Sequence, residues 1–467
     1  MLHERLPNLE KLVEPDRVHR LCYTDPEVFE LEIRNIFEKC WIYAGHESQV
    51  KNPGDFWGFQ IGRQPMVMVR GRPGEGKGSA GSKRDDTKRD DTKRDDTKRD
   101  GTKRDGAIHV LYNRCPHRGV QVCGARHGNA GDALTCSYHS WRFKYDGTNE
   151  SVPLPRGYEG TTFKDYDCNM KRAPRVESYR GFVFASLAAD GPPLVEWLGP
   201  AKVAFDDICD RSPVGEVEVV MNCYRVIQRS NWKFFMENQL DAVHPSVTHE
   251  STGRAASEVE FQIKRRTGET PLHYHMLSAF TIPFDKWDTL ETYGYPYGHT
   301  VLGGYMGLRP QDPDTLEHER ILAQAYGEKK KEAYLTRNIH HVLVYPCLSI
   351  QSPLQQLRAI RPIAPDRTLS EIWHFRLKGV PEPIYRRSLW YYNLVNSPAT
   401  MVNADDLENW QKGQWGLTSR GGDWVSFHRD YGRDETDGDT LRSTNGCSEM
   451  PMRAQFQAWL KYMKAGA

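Results

Sequence analysis

The chain is predicted to be an α+β protein: a β-rich N-terminal part, followed by a larger part in which helices wrap an antiparallel sheet. Three observations lead there. Short strand-like runs alternate with glycine-containing turns after residue 41. Longer strand-like stretches dominate from about residue 215 onward. The final part of the chain carries helical patterns at Tyr385–Val395 and Met452–Met463.

At 467 residues the chain can hold two domains with their own cores. Its 63 basic and 62 acidic residues leave a net charge of +1, which argues against a nucleic-acid or membrane-surface footprint. No apolar run approaches the roughly 18–20 residues of a membrane span. The opening Met1-Leu-His-Glu-Arg-Leu6 lacks a signal-peptide core. Ten cysteines without a disulfide rhythm suit a reducing cytoplasm, the expected location.

Residues 1–40 are expected to form an N-terminal helical segment. Thr24-Asp-Pro-Glu27 reads as a helix start with a Thr cap, and Val28, Phe29, Leu31, Ile36 and Phe37 supply an apolar side ending near Cys40. Residues 41–165 read as a β domain, with strands in Trp41–Ile61, Pro65–Arg70 and Ile108–Tyr112. Between the last two, residues 72–106 form a low-complexity insertion. Within it, Lys83–Asp105 repeats a Lys-Arg-Asp-Asp-Thr unit five times, the last copy cut short. Without apolar side chains it cannot bury surface to offset its ordering entropy, so a solvated loop expansion is expected. A docking tether and a mixed-charge helix are the alternatives. Residues 170–467 read as a second domain. Its predicted strands are Arg180–Ser186, Glu216–Ile227, Glu258–Arg265, His340–Gln351, Gln356–Ile363 and Leu369–Leu377, with a turn at Ala364–Arg367.

The chemistry is concentrated first between Cys115 and His139. Cys115-x-His117, an 18-residue gap and Cys136-x-x-His139 place two thiolates and two imidazoles as mixed pairs on two short loops. That set suits a [2Fe–2S] cluster with both thiolates on one iron and both imidazoles on the other. Tetrahedral zinc takes the same donors, but zinc sites usually group cysteines with cysteines and histidines with histidines. Cys123 and His127 fall inside the gap and read as a buried small side chain and a surface histidine. The second concentration is Asp241-x2-His244-x4-His249. Two neutral imidazoles and a carboxylate on one face of an iron leave positions open for dioxygen and substrate. On a helix Asp241 and His244 share a face, and Pro245 is expected to break or tighten that helix at His244. A third ligand must come from far away in the sequence; within Met401-Val-Asn-Ala-Asp405-Asp406, chemistry alone does not separate Asp405 from Asp406, which also read as surface acids at a helix start.

Asn113-Arg-Cys-Pro-His-Arg-Gly-Val120, Cys136-Ser-Tyr-His-Ser-Trp-Arg-Phe143 and Glu237-Asn-x-x-Asp-x-x-His-x4-His249 resemble the large (alpha) subunits of Rieske non-haem iron aromatic ring-hydroxylating oxygenases. Ser140 stands where the family usually has glycine. Val120 and Tyr138 stand where respiratory Rieske proteins carry a disulfide, which favours the oxygenase type of cluster. The resemblance implies an all-β Rieske [2Fe–2S] domain and a helix-grip catalytic domain. It assigns the cluster to Cys115, His117, Cys136 and His139, and the mononuclear Fe(II) to His244, His249 and Asp406. Asp241 is implied to link His139 of the partner subunit to His244.

The expected reaction is cis-dihydroxylation of an aromatic ring by O2. Electrons are expected from an NAD(P)H-fed reductase, with or without a ferredoxin, since no Gly-x-Gly-x-x-Gly fingerprint is evident. A homotrimer, with or without a small beta subunit, is implied by the resemblance alone. Pocket positions are expected at Asn238, Gln239 and 396–402, whose small and polar residues suit a substituted or carboxylated arene. Monohydroxylation or oxidative demethylation is the alternative chemistry, and a cluster-only electron carrier the alternative class.

Overall fold

The structure is a computed structural model that describes residues 8–73, 106–271, 274, 277–304, 309–337 and 339–465. The Lys83–Asp105 repeat lies outside the described residues. The chain divides into two compact units, one of Met1–Tyr43, Ile61–Arg63 and Glu177–Ala467, the other of Ala44–Gln60 and Gln64–Val176.

The smaller unit is built on β-strands. A four-stranded sheet runs in the order Ile108–Tyr112, Gln64–Arg70, Asp55–Ile61 and His127–Asn129, and a three-stranded sheet joins Leu134–Thr135, Arg142–Phe143 and Asn149–Ser151. Val67, Val69, Leu111, Trp141 and Phe143 form its core together with Cys115, Cys123 and Cys136. Arg70 pairs with Ile108 and the Gly71 N–H donates to the Ala107 carbonyl at 2.8 Å, so the ends of the 72–106 insertion meet as the base of a hairpin.

The larger unit holds a nine-stranded antiparallel sheet. Its order is Val217–Gln228, Arg367–Leu377, Gln356–Ala364, Leu348–Gln351, Ile339–Val344, Thr300–Gly303, Glu291–Gly294, Thr440–Ser443 and Glu435–Asp437. The expected single strand His340–Gln351 is two strands, because Pro346 interrupts the ladder at a turn. Glu258–Arg265 is not a strand but part of the Glu250–Thr267 helix. Its Glu-Val-Glu-Phe-Gln-Ile alternation mimics a strand, yet Phe261 is solvent-exposed, and the helix buries Thr252, Gly253 and Ala256 instead.

At the N-terminus the cap is Asp25 rather than Thr24. Its carboxylate accepts from the Glu27 and Val28 N–H groups, with Pro26 at the first helical position where no N–H is needed. Glu32 at the end of this helix is wholly buried. It accepts from the Lys233 ammonium, Trp232 Nε1 (2.8 Å) and Trp459 Nε1 (2.7 Å). That network anchors the Trp232–Asn238 helix, which leads into the Asp241–His249 motif.

Candidate metal centres and substrate cavity

The two cysteine–histidine loops of the smaller unit repeat one backbone design. The Cys115 N–H donates to the Val120 carbonyl while the Gly119 N–H donates back to the Cys115 carbonyl, at 2.8 and 2.9 Å. In the second loop Cys136 donates to Trp141 and Ser140 donates to Cys136, at 2.9 and 3.0 Å. Gly119 and Ser140 occupy the same place in the two loops, and both are left-handed, at φ +78° and +54°. Glycine takes that conformation freely; Ser140 holds it against its own Cβ.

These loops bring His117 and His139 to a ring separation of 4.6 Å, with His117 stacked on Trp141. Cys115 and Cys136 are both buried. The Cys115 thiol is pushed up by burial and by the adjacent Cys136. His117 is held below its ordinary value by burial, His139 and Arg118, which favours the neutral ring a metal needs. Its Nδ1 is buried with no hydrogen-bond partner among the described residues. Two thiols, two imidazoles and an orphaned ring nitrogen fit an iron–sulfur cluster. Cys123 is buried in the core and His127 is exposed, and Cys123 is fixed through its backbone by the Asn113 side chain.

In the larger unit Asn231 caps the Trp232–Asn238 helix, its side chain accepting from the Lys233 N–H at 3.2 Å. Gln414 in turn accepts from the Asn231 N–H at 2.8 Å, which ties the Met401–Gly416 helix to the start of the histidine segment. The break expected at His244 comes earlier. The helix ends at Asn238, and Pro245 opens a short helix, Pro245–Thr248, capped by His244. Asp241 and His244 therefore sit on an irregular bend rather than on one helix face. The Val243 N–H donates to Asp241 Oδ1 at 2.8 Å and holds the bend.

Ligand atoms of His244, His249 and Asp406 all lie within 4.8 Å of one another. Asp406 Oδ1 is 3.2 Å from His249 Nε2 and 3.7 Å from His244 Nε2. Asn238 directs its amide at the same space, 3.0 Å from His244 Nε2 and donating to Asp406 Oδ1 at 3.1 Å. On the Met401–Gly416 helix Val402, Asp406, Trp410 and Gln414 are buried in helical register, whereas Asp405 is partly exposed. Asp405 instead approaches the far nitrogen of His249, Nδ1, at 3.4 Å. The Nδ1 of His244 faces Asp241 Oδ2 at 3.7 Å, an ion-pair contact too long for a hydrogen bond. Burial works against charge on both partners, yet Asp241 and Asp406 raise His244 above its ordinary value, and His244 in turn lowers Asp241. Two imidazoles and one carboxylate opening on a cavity fit a facial iron site.

That cavity has a volume of about 280 Å³. Asn238, Gln239 and Val402 line it, but residues 396–401 do not, because Asn396 ends its helix buried elsewhere and Met401 faces solvent. Phe280, Leu302, His341, Gln351, Arg358 and Tyr391 also line it. Most of these stand on sheet strands, where an inward polar residue looks like any other member of an alternating pattern. Only the register shows which face meets the histidine segment.

Residues 40–167 match the Rieske [2Fe-2S] domain family, and residues 216–463 match the ring hydroxylating alpha subunit (catalytic domain) family. The first match removes the zinc alternative. The chain is 30% identical to the toluate 1,2-dioxygenase subunit alpha of Pseudomonas putida over 90% of its length and 84% of the relative's. It is 31% identical to the anthranilate 1,2-dioxygenase large subunit of Acinetobacter baylyi, over 89% and 80%. A solved naphthalene 1,2-dioxygenase with indole bound shares the fold, at TM-score 0.74 and 23% identity, over 97% of this chain and 93% of that one. With a Rieske domain at its N-terminal side and a ring-hydroxylating catalytic domain behind it, the chain belongs to the alpha subunits of aromatic ring-hydroxylating dioxygenases, oxidoreductases that use a [2Fe–2S] cluster and a mononuclear iron.

Proposed function

We propose that this chain is the terminal oxygenase component that cis-dihydroxylates a carboxylated single-ring arene, fed by a separate NAD(P)H-dependent reductase with or without a ferredoxin. One observation carries the reading: His244, His249 and Asp406 converge on a cavity of about 280 Å³. That volume falls just below the roughly 300–1,000 Å³ of ligand pockets, which favours one ring over several. Support for the carboxylate comes from the relatives, whose names specify toluate and anthranilate.

In this reading Cys115, His117, Cys136 and His139 hold the cluster within residues 41–165. His244, His249 and Asp406 hold the iron within residues 170–467. When bound, the two centres supply two electrons which, with O2 and two protons, convert the arene to its cis-diol. Asp405 orients His249 through Nδ1, and Asn238 orients Asp406. Asp241 keeps the proton on His244 Nδ1, leaving Nε2 for the metal, and links that ring to His139 of the partner subunit. A homotrimer supplies that partner, with or without a beta subunit. The ten free cysteines accord with a cytoplasmic location.

The test is product analysis under 18O2 with a panel of arenes and a surrogate reductase. Two labelled oxygens in one product support dioxygenation; one labelled oxygen makes the enzyme a monooxygenase or demethylase. Asp241→Asn tests the relay. It should keep both metals and normal dithionite reduction of the cluster, while reoxidation by O2 with substrate slows by orders of magnitude. Loss of the mononuclear iron in that variant would make Asp241 a ligand instead.

A further inference from the structure

Five arginines line the cavity, and four of them are neutralised. Arg211 meets Asp207 at 3.3 Å, Arg309 meets Glu319 at 2.7 Å, Arg337 meets Asp210 at 2.9 Å and Arg387 meets Asp312 at 2.5 Å. Arg358 differs. It is 8% exposed, and no carboxylate among the described residues lies within 4.0 Å of its guanidinium. Its Nε donates to Gln356 Oε1 at 3.0 Å and its plane lies 6.0 Å from the Phe235 ring, which leaves both terminal nitrogens without a partner among the described residues. Burial pushes Arg358 below its ordinary range, opposed by the nearby charge of Asp406 and by Tyr391 and Tyr392. A guanidinium stays charged under any such shift, so an uncompensated buried cation remains.

Its place on the sheet aims that cation at the substrate space. Arg358 opposes Ser349 across the ladder, so the two side chains share a face. The Ser349 hydroxyl donates to Gln239 Oε1 at 3.1 Å, and Gln239 adjoins Asn238, which touches both His244 and Asp406. The face bearing Arg358 is thus the one that meets the histidine segment.

We propose that Arg358 is the specificity-determining residue that binds the carboxylate of the substrate, its two free terminal nitrogens donating side by side to the two carboxylate oxygens. The planar fork matches a carboxylate in two parallel hydrogen bonds, and a dry site strengthens them. The substrate's charge then supplies the counter-ion that the protein withholds, and a neutral arene leaves the cation unpaired. This rests on the proposed carboxylated-arene reading.

The experiment compares holoenzyme and its Arg358→Gln and Arg358→Lys variants with benzoate and with nitrobenzene, a neutral near-isostere. Calorimetric binding, turnover and thermal midpoints are measured together. Arg358→Gln should weaken benzoate binding and raise its KM by roughly 10- to 100-fold, the loss of a charge-assisted pair, with nitrobenzene turnover retained. Arg358→Lys should fall between. Without ligand, Arg358→Gln should melt no lower than wild type, because an unpaired buried charge has gone, but benzoate should no longer raise its midpoint. A folded Arg358→Gln enzyme that binds benzoate as wild type does overturns the role of Arg358 and leaves the substrate class standing. Equal loss of both arenes, or a fall in the unliganded midpoint in both variants, makes Arg358 structural and also overturns it. Wild-type enzyme that prefers nitrobenzene to benzoate overturns the substrate class itself.

Discussion

Lys233→Met should cost about 3–5 kcal/mol of stability, the usual cost of removing one partner from a buried ion pair. The Lys233 ammonium and Glu32 carboxylate meet at 2.5 Å, with their side chains 4% and 0% exposed. Without Lys233 the carboxylate keeps only the neutral N–H donors of Trp232 and Trp459, and hydrogen bonds from neutral groups do not cancel a full charge in a dry interior. Methionine fills a similar volume against Tyr23 and Trp232, over whose rings the ammonium lies, so lost packing adds little. The loss is large against the roughly 5–15 kcal/mol that holds a domain together. It falls where Trp232 begins the helix leading to Asn238, so iron occupancy should drop with stability. Urea titration followed by tryptophan fluorescence reports it directly, since two indoles contact Glu32. The double variant Glu32→Gln/Lys233→Met removes the stranded charge while keeping an acceptor for the indoles, and should recover more than half the loss. A single-variant cost under about 1 kcal/mol, or a double variant no more stable than the single, would refute the argument from an uncompensated charge.

His244→Ala should keep the visible spectrum of the cluster while losing the mononuclear iron and turnover; iron analysis with absorption spectroscopy decides, and a lost spectrum with retained third iron would exchange the two site assignments. Ser140→Gly should stabilise the smaller unit by up to about 1 kcal/mol, relief of a left-handed serine less the entropy glycine loses on folding, read as a shift in thermal unfolding of the cluster domain. Replacing Lys83–Asp105 with an Asn-Gly turn should preserve folding and turnover, since the flanking strands already meet at Gly71 and Ala107; activity restored only by excess reductase would indicate a docking tether. Glu237 is raised from 4.5 to about 8 by burial, with Glu449 and Asp241 adding and Tyr23 and Lys233 opposing. A raised carboxyl binds its proton more tightly when folded, so stability should fall as pH climbs from about 4.5 to about 8. Glu237→Gln should flatten that slope in pH-dependent denaturation.

Ligand chemistry was legible in the linear chain because it depends on residue type at short range. Cys115 with His117, Cys136 with His139, and His244 with His249 each sit on one local stretch whose backbone brings the pair together. Long strands such as 356–364 and 367–377, and the helix around 450–465, were legible for the same reason, since their periods are local. Where two local patterns compete, only packing decides. The alternation in 258–263 reads as a strand until Ala256 and Gly253 find a partner surface and draw the whole segment into a helix. Asp405 and Asp406 are chemically identical, and it is the phase of the Met401–Gly416 helix that turns one toward both histidines and the other to the back of His249. Arg358 is the plainest case. As a residue in a strand it has no distinguishing mark, because being unpaired is a property of its surroundings. That property exists only once the sheet register has set it opposite Ser349, beside the space before the two histidines.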